Sequence, residues 1–129
     1  MRVSTAFNRI LSLDGAWVES VSFTNDGVVV GIRAKSRRHR CPCGRACAAR
    51  YDCSRRRWRH LDMGATKVWL EADIARVSCS ACRRVRTEAV PWARPGARHS
   101  SDFEDVVAWL AQRMDKSAVS KLMRCSWAA

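Results

Sequence analysis

The chain has 129 residues, with 24 Lys and Arg against 12 Asp and Glu, a net charge of +12 and a pI near 10.5. That length holds one domain or two very small ones, and such a charge excludes a neutral cytosolic enzyme as the default and points to a polyanionic partner. The hydrophobic fraction of 47% includes 18 alanines, so the core is thin, and a small core usually needs a staple.

From the N-terminus, Phe7, Ile10 and Leu11 recur at i, i+3 and i+4 and predict a short helix with Gly15 as its end. Trp17 to Phe23 reads as a strand, Asn25-Asp26-Gly27 as a turn and Val28 to Ala34 as the return strand, the Asp-Gly pair supplying the positive φ of a tight hairpin. Val28, Val30, Ile32 and Ala34 alternate on one face of that second strand. A basic, cysteine-bearing stretch runs from Arg33 to His60. The next strand, Lys67 to Val77, alternates Val68, Leu70, Ala72 and Ile74 with Lys67, Trp69, Glu71 and Asp73, so one face is buried and one wet. It ends in Cys79-Ser80-Ala81-Cys82. Pro91 and Pro95-Gly96 break the chain into a connector.

The remainder is helical. Ser101-Asp102-Phe103-Glu104 fits a capping box with Ser101 as N-cap and Glu104 at N3. Phe103, Val106, Val107, Leu110, Ala111 and Met114 form one apolar stripe. A second short helix starts at Ser117 and covers Ala118, Val119, Leu122 and Met123, and Ser126 caps a third that begins at Trp127. This is the rhythm of a helix-turn-helix, which two helices packed only for stability share.

The charge is gathered in one place. Residues 33 to 60 hold 11 Lys or Arg and one acid, Asp52, which is +10 of the +12. Of the 24 basic residues 20 are Arg, whose planar fork binds two phosphate oxygens at once. A GC-rich coding bias accounts for Arg over Lys but not for the clustering. In Arg55-Arg56-Arg57-Trp58-Arg59-His60, Trp58 reads as a core residue, the arginines as facing DNA and His60 as a hydrogen-bonded structural histidine.

No apolar run is long enough to span a membrane, and residues 1 to 8 contain no signal-peptide stretch. The expectation is a cytoplasmic protein, where seven cysteines are metal ligands, redox thiols or buried residues rather than disulfides. Cys79 and Cys82, three apart on a tight turn, aim both sulfurs at one ion, and thiolates suit zinc. A structural site takes four ligands, and the second pair comes from Cys41, Cys43, Cys47 and Cys53, with His39 as an outside candidate. The long gap between Cys43 and Cys79 leaves room for an inserted hairpin. A thioredoxin-type redox pair belongs at a helix N-terminus in a βαβ unit, which the pattern lacks. Cys53 and Cys125 read as unpaired thiols, with Cys125 buried by a helix turn.

Taken in order, the opening Met1-Arg2-Val3-Ser4-Thr5-Ala6-Phe7-Asn8, Trp58-Arg59-His60-Leu61-Asp62, the strand end Arg76-Val77-Ser78-Cys79-Ser80-Ala81-Cys82, Val90-Pro91-Trp92-Ala93-Arg94, Phe103-Glu104 with Val107-Ala108, and Ser117-Ala118-Val119 resemble the N-terminal part of bacterial insertion-sequence transposases of the ISL-three type. The resemblance spans essentially the whole chain. It implies a zinc-binding finger followed by a helix-turn-helix, both holding transposon DNA ends, and a downstream catalytic core with three metal-binding carboxylates that these residues do not supply. Members carry Cys-Pro-x-Cys-Gly at the first knuckle, and Cys41-Pro42-Cys43-Gly44 is one residue shorter. The sequence stops where the recognition helix begins, so a truncated fragment without catalysis of its own is expected.

The expected fold is α+β, a small zinc-ribbon-like β domain followed by a truncated helix-turn-helix. Its expected parts are residues 1–34 (helix and hairpin), 35–90 (basic ribbon) and 91–129 (linker and helices). One zinc is expected on Cys41, Cys43, Cys79 and Cys82, and duplex DNA is expected against Arg37, Arg38, Arg40, Arg55, Arg56, Arg57 and Arg59. The competing functions are a zinc-ribbon module for RNA or a protein partner, and a thiol enzyme built on a low-pKa Cys79.

Overall fold

A computed structural model describes residues 1–47 and 50–126. Its elements are α1 (Val3–Leu11), β1 (Ala16–Thr24), β2 (Gly27–Ala34), β3 (His39–Arg40), β4 (Ala46–Cys47), β5 (Arg50–Met63), β6 (Thr66–Cys79), β7 (Arg84–Thr87), α2 (Ser101–Ala111) and α3 (Lys116–Met123). The fold is α+β. The main sheet has the order β1-β2-β6-β5, with β7 also on β6, and β3 pairs with β4 in a small ribbon.

The β1–β2 hairpin forms where its pattern places it, with Gly27, at φ 128, opposite Thr24. The positive φ falls on Gly27 and not on Asp26, and a side chain there would meet the Lys67 carbonyl. β2 lies between β1 and β6, so Val28, Val29, Val30 and Ile32 are all buried. Ala34, expected on the inner face, is exposed beyond the end of the β6 pairing.

Helix α1 stops before Gly15: Ser12 takes the left-handed C-cap position at φ 44. One turn of the helix is held by Asn8, whose Oδ1 accepts from the Val18 N–H at 2.8 Å beside the β1 bulge.

β6 is the spine. Along one edge it pairs antiparallel with β5, and along the other it pairs parallel with β2 from Val68 to Glu71 and then antiparallel with β7 from Arg76 to Cys79. The expected alternation holds from Val68 to Ile74, after which Ala75, Val77 and Cys79 are the buried residues. Side chains alternate faces along a strand, so this change of phase gives β6 two cores on opposite faces. The first contains Phe7, Val30, Ile32, Trp58, Leu70, Ile74 and Trp92, and the second contains Cys41, Cys47, Val77 and Cys79. Residues 1–34 and the β5–β6 hairpin thus share one sheet and one core. Trp58 is buried as expected and meets Trp92 edge-on at 5.5 Å.

The connector is packed and not loose: Trp92, Ala93, Ala97 and Ser100 are buried. Ser100, and not Ser101, caps α2, its Oγ accepting from the Phe103 N–H at 3.2 Å. Glu104 lies one position past N3 and pairs with Arg94 at 2.7 Å. Helix α3 starts at Lys116 rather than Ser117 because Asp115 is the cap, accepting from the Ala118 N–H at 2.8 Å. Of the predicted stripe, Phe103 is buried, and Val106, Val107, Leu110 and Met114 are half-buried. The third helix expected from Trp127 lies outside the described residues. No described helix is long and apolar enough to cross a membrane.

Candidate metal centre and nucleic-acid interface

Two turns bring four sulfurs together. The first is Cys41-Pro42-Cys43-Gly44, closed by Gly44 N–H to Cys41 O at 2.8 Å and Cys41 N–H to Arg45 O at 2.9 Å, with Gly44 at φ 98. The second leaves β6 at Cys79 and is closed by Arg83 N–H to Cys79 O at 2.8 Å. The shortened first knuckle still meets the second. Cys41 Sγ lies 3.7 Å from Cys82 Sγ, Cys43 Sγ lies 3.7 Å from Cys79 Sγ, and all four sulfurs lie within 4.8 Å of one another. A tetrahedral ion with bonds of about 2.3 Å to sulfur has ligand separations of roughly 3.8 Å, so the donor set and its spacing fit zinc.

The thiols differ sharply. Hydrogen bonds from the Cys82 backbone, and also from Cys43, Ala81 and Cys41, bring Cys79 down to about 6. At Cys41 the Cys43 backbone contact is outweighed by burial and by the thiols of Cys43, Cys82 and Cys79, which push it up to about 12. A bound cation favours the thiolate form of all four cysteines and would draw their protons off.

Of the other candidates, His39 is turned to Glu88, its Nδ1 lying 3.1 Å from Oε1. Cys47 is buried beside the cluster, with its Sγ on the Arg45 carbonyl at 3.8 Å. Cys53 is exposed and Cys125 only half-buried. Glu88 carries no local sequence signal, yet it holds the centre in place: Oε2 accepts from the Ala75 N–H at 2.6 Å while Oε1 meets His39.

The arginines do not form one surface. Arg37, Arg38 and Arg40 are exposed next to the first knuckle. Arg55 and Arg57 project from β5 onto Glu71 of β6, at 3.0 and 2.9 Å, and Arg55 also reaches Asp73 at 3.4 Å. Hydrogen bonds from Arg57 and Arg55 hold the Glu71 carboxyl below its ordinary range. Arg56 donates to the Ala97 carbonyl at 3.2 Å. Arg59, expected to face DNA, is instead buried: its guanidinium donates to Asp62 at 2.7 Å, to Arg124 O at 3.1 Å and to Met123 O at 3.3 Å. It satisfies carbonyls at the C-terminal end of α3. His60 is the structural histidine expected, with its Nδ1 2.7 Å from Ser100 Oγ.

A four-sulfur centre on a small β-ribbon, followed by two short capped helices, defines a zinc-ribbon protein with a helix-turn-helix. Residues 37–82 match the zinc-finger of transposases IS204/IS1001/IS1096/IS1165, and residues 88–129 match the helix-turn-helix domain of transposase family ISL3. The chain thus carries, in that order, a zinc-finger region and a helix-turn-helix region similar to those of ISL3 transposases. It is 40% identical to the transposase for insertion sequence element IS1557 of Mycobacterium tuberculosis, in both strain CDC 1551 / Oshkosh and strain ATCC 25618 / H37Rv. The similarity covers 98% of this chain and 31% of those relatives, so the chain spans about a third of their length. No solved structure matches the chain.

Proposed function

We propose that the chain is a DNA-binding unit for transposon ends, in which one zinc on Cys41, Cys43, Cys79 and Cys82 fixes the ribbon and the helices approach the duplex. The reading is that of a cytoplasmic protein and assigns no catalytic residue to this chain; strand cleavage and joining are left to other parts of proteins of this kind. The observation that carries it is the helix-turn-helix match over residues 88–129, which falls on α2 and α3 in a chain of net charge +12. Phosphate contacts supply affinity, and base contacts supply specificity.

The test is fluorescence anisotropy with labelled duplexes across a range of salt. Dissociation constants of roughly 10⁻⁴ to 10⁻⁶ M near physiological salt, weakening steeply as salt rises, are expected for contacts that are mainly to phosphate. A salt-independent affinity, or a preference for single-stranded RNA over duplex DNA, overturns the proposal, the second in favour of an RNA-binding ribbon.

A further inference from the structure

Positive charge at the knuckles exceeds what the metal centre needs. Arg45 follows the first knuckle, Arg83 and Arg84 follow the second, and Arg37, Arg38 and Arg40 lead into the first; all six are exposed. Half-buried Arg86 points at the centre itself, donating to Cys82 Sγ at 3.6 Å. Among the described residues none of these seven is in an ion pair. The sequence explains why: there is no Asp or Glu from residue 33 to 51 or from 74 to 87. The acids nearest to them in the chain, Glu88 and Asp52, are engaged, Glu88 by Ala75 and His39 and Asp52 by Arg76. Four thiolates on a divalent ion leave a charge of about −2, which Arg86 begins to balance. Among the described residues, the six exposed arginines have no protein counter-charge.

The arginine face of β5 is built differently. Arg55 and Arg57 hold Glu71, and Arg76, across the strand pair, holds Asp52 through Nε at 2.7 Å. A phosphate arriving there would have to displace a carboxylate that is already in place, so it gains less than at an arginine with only solvent ions around it.

We infer that the duplex backbone lies across the knuckle end of the ribbon, on Arg37, Arg38, Arg40, Arg45, Arg83 and Arg84, and not on the arginine face of β5. The inference rests on the DNA-binding reading above and adds the surface that carries it. It reverses the weight that the sequence places on Arg55, Arg56 and Arg57.

Two triple variants of equal net charge separate the surfaces. One combines Arg38→Ala, Arg45→Ala and Arg84→Ala; the other combines Arg55→Ala, Arg57→Ala and Arg76→Ala. The readout is the slope of log affinity against log salt for a labelled duplex, which counts neutralised phosphates at about 0.9 each. The knuckle variant should flatten the slope by about two to three, and the β5 variant by less than one. Zinc content and thermal melting of both variants establish that they are folded. The unaltered chain gives a second measurement that needs no variant: arginine modification by a dicarbonyl reagent, read by mass spectrometry, should be blocked by DNA at Arg38, Arg45 and Arg84. Slopes flattened equally, or protection confined to Arg55 and Arg57, overturn the surface assignment while leaving DNA binding intact. Failure of the unaltered chain to bind duplex DNA overturns the functional reading itself.

Discussion

His39 Nδ1 lies 3.1 Å from Glu88 Oε1, which ties the strand entering the first cysteine knuckle to a carboxylate that follows the second. The same carboxylate accepts from the Ala75 N–H, and the Glu88 N–H donates to Ala75 O at 2.8 Å. Ala75 is where β6 changes its buried face, between the end of the β2 pairing at Glu71 and the start of the β7 pairing at Arg76. Glu88 thus fills a gap in the sheet and fixes the two halves of the cysteine centre to each other.

Glu88→Ala should lower the melting temperature and speed zinc release, because it strips a half-buried N–H of its acceptor, a loss of about 1–3 kcal/mol. Glu88→Gln keeps an acceptor and should lie between the two. Circular dichroism melts and the rate of zinc transfer to a chromogenic chelator measure both effects. Unchanged release from the alanine variant would show that the knuckles find each other without this tie.

Cys79→Ser and Cys41→Ser should each abolish stoichiometric zinc, while Cys53→Ser and Cys125→Ser should leave about one zinc per chain. The second core holds little besides the cysteines and Val77, so metal loss should loosen β3, β4 and β7. The main core around Trp58 and Trp92 should persist. Metal analysis and tryptophan fluorescence follow the two events separately, and simultaneous loss of both signals would mean that the cores are one cooperative unit.

Arg59→Met should be destabilising, by about 1–3 kcal/mol, because it strips the carbonyls at the end of α3 of their donor and leaves Asp62 with Arg124 alone. Burial opposes ionisation of Asp62, but hydrogen bonds from Arg59 and Arg124 outweigh it and hold the carboxyl below its ordinary range. The unfolded chain takes up that proton first as the solution is acidified. The stabilisation is therefore complete well above about pH 4 and is lost as pH falls through the folded value. Urea titrations of the original chain and of Asp62→Asn across that range should converge in acid.

His60 gives a second acid-sensitive contribution at higher pH. Burial lowers its pKa, outweighing the favourable charge of Asp102. The Ser100 hydroxyl, which accepts from the Phe103 N–H, lies 2.7 Å from Nδ1 of the ring. Because the folded value lies below the unfolded one of about 6.5, the unfolded chain binds the proton first. Stability is full above that pH and declines as pH drops below it. The stability difference between the original chain and His60→Asn should shrink between pH 7 and 5. Subtracting the two removes the common effect of zinc loss, and a difference that is flat with pH would place the imidazole in contact with water.

Much of this molecule is written in local patterns. The β1–β2 hairpin, the alternating stretch from Val68 to Ile74, the buried Trp58 and the paired cysteines at a strand end all follow from side-chain periodicity and turn chemistry within a few residues. The helix starts are legible to within one residue: Ser100 does the capping expected of Ser101, and α3 begins at Lys116, one residue before Ser117, because Asp115 accepts from a free N–H.

The partners of the charges were not legible. β5 carries no apolar alternation across Arg50 to Arg57, so nothing local marks it as a strand, and it forms because β6 offers a complete ladder of backbone partners. Once paired, its register sets Arg57 against Glu71 and Arg55 against Asp73, residues 14 and 18 positions away. Arg59, one alternation further, falls on Asp62 and the end of α3. A run of like charges looks uniform in sequence. Sheet register assigns a counter-charge to some of its members, buries one and leaves the rest to solvent, because strand pairing joins residues that no local pattern connects.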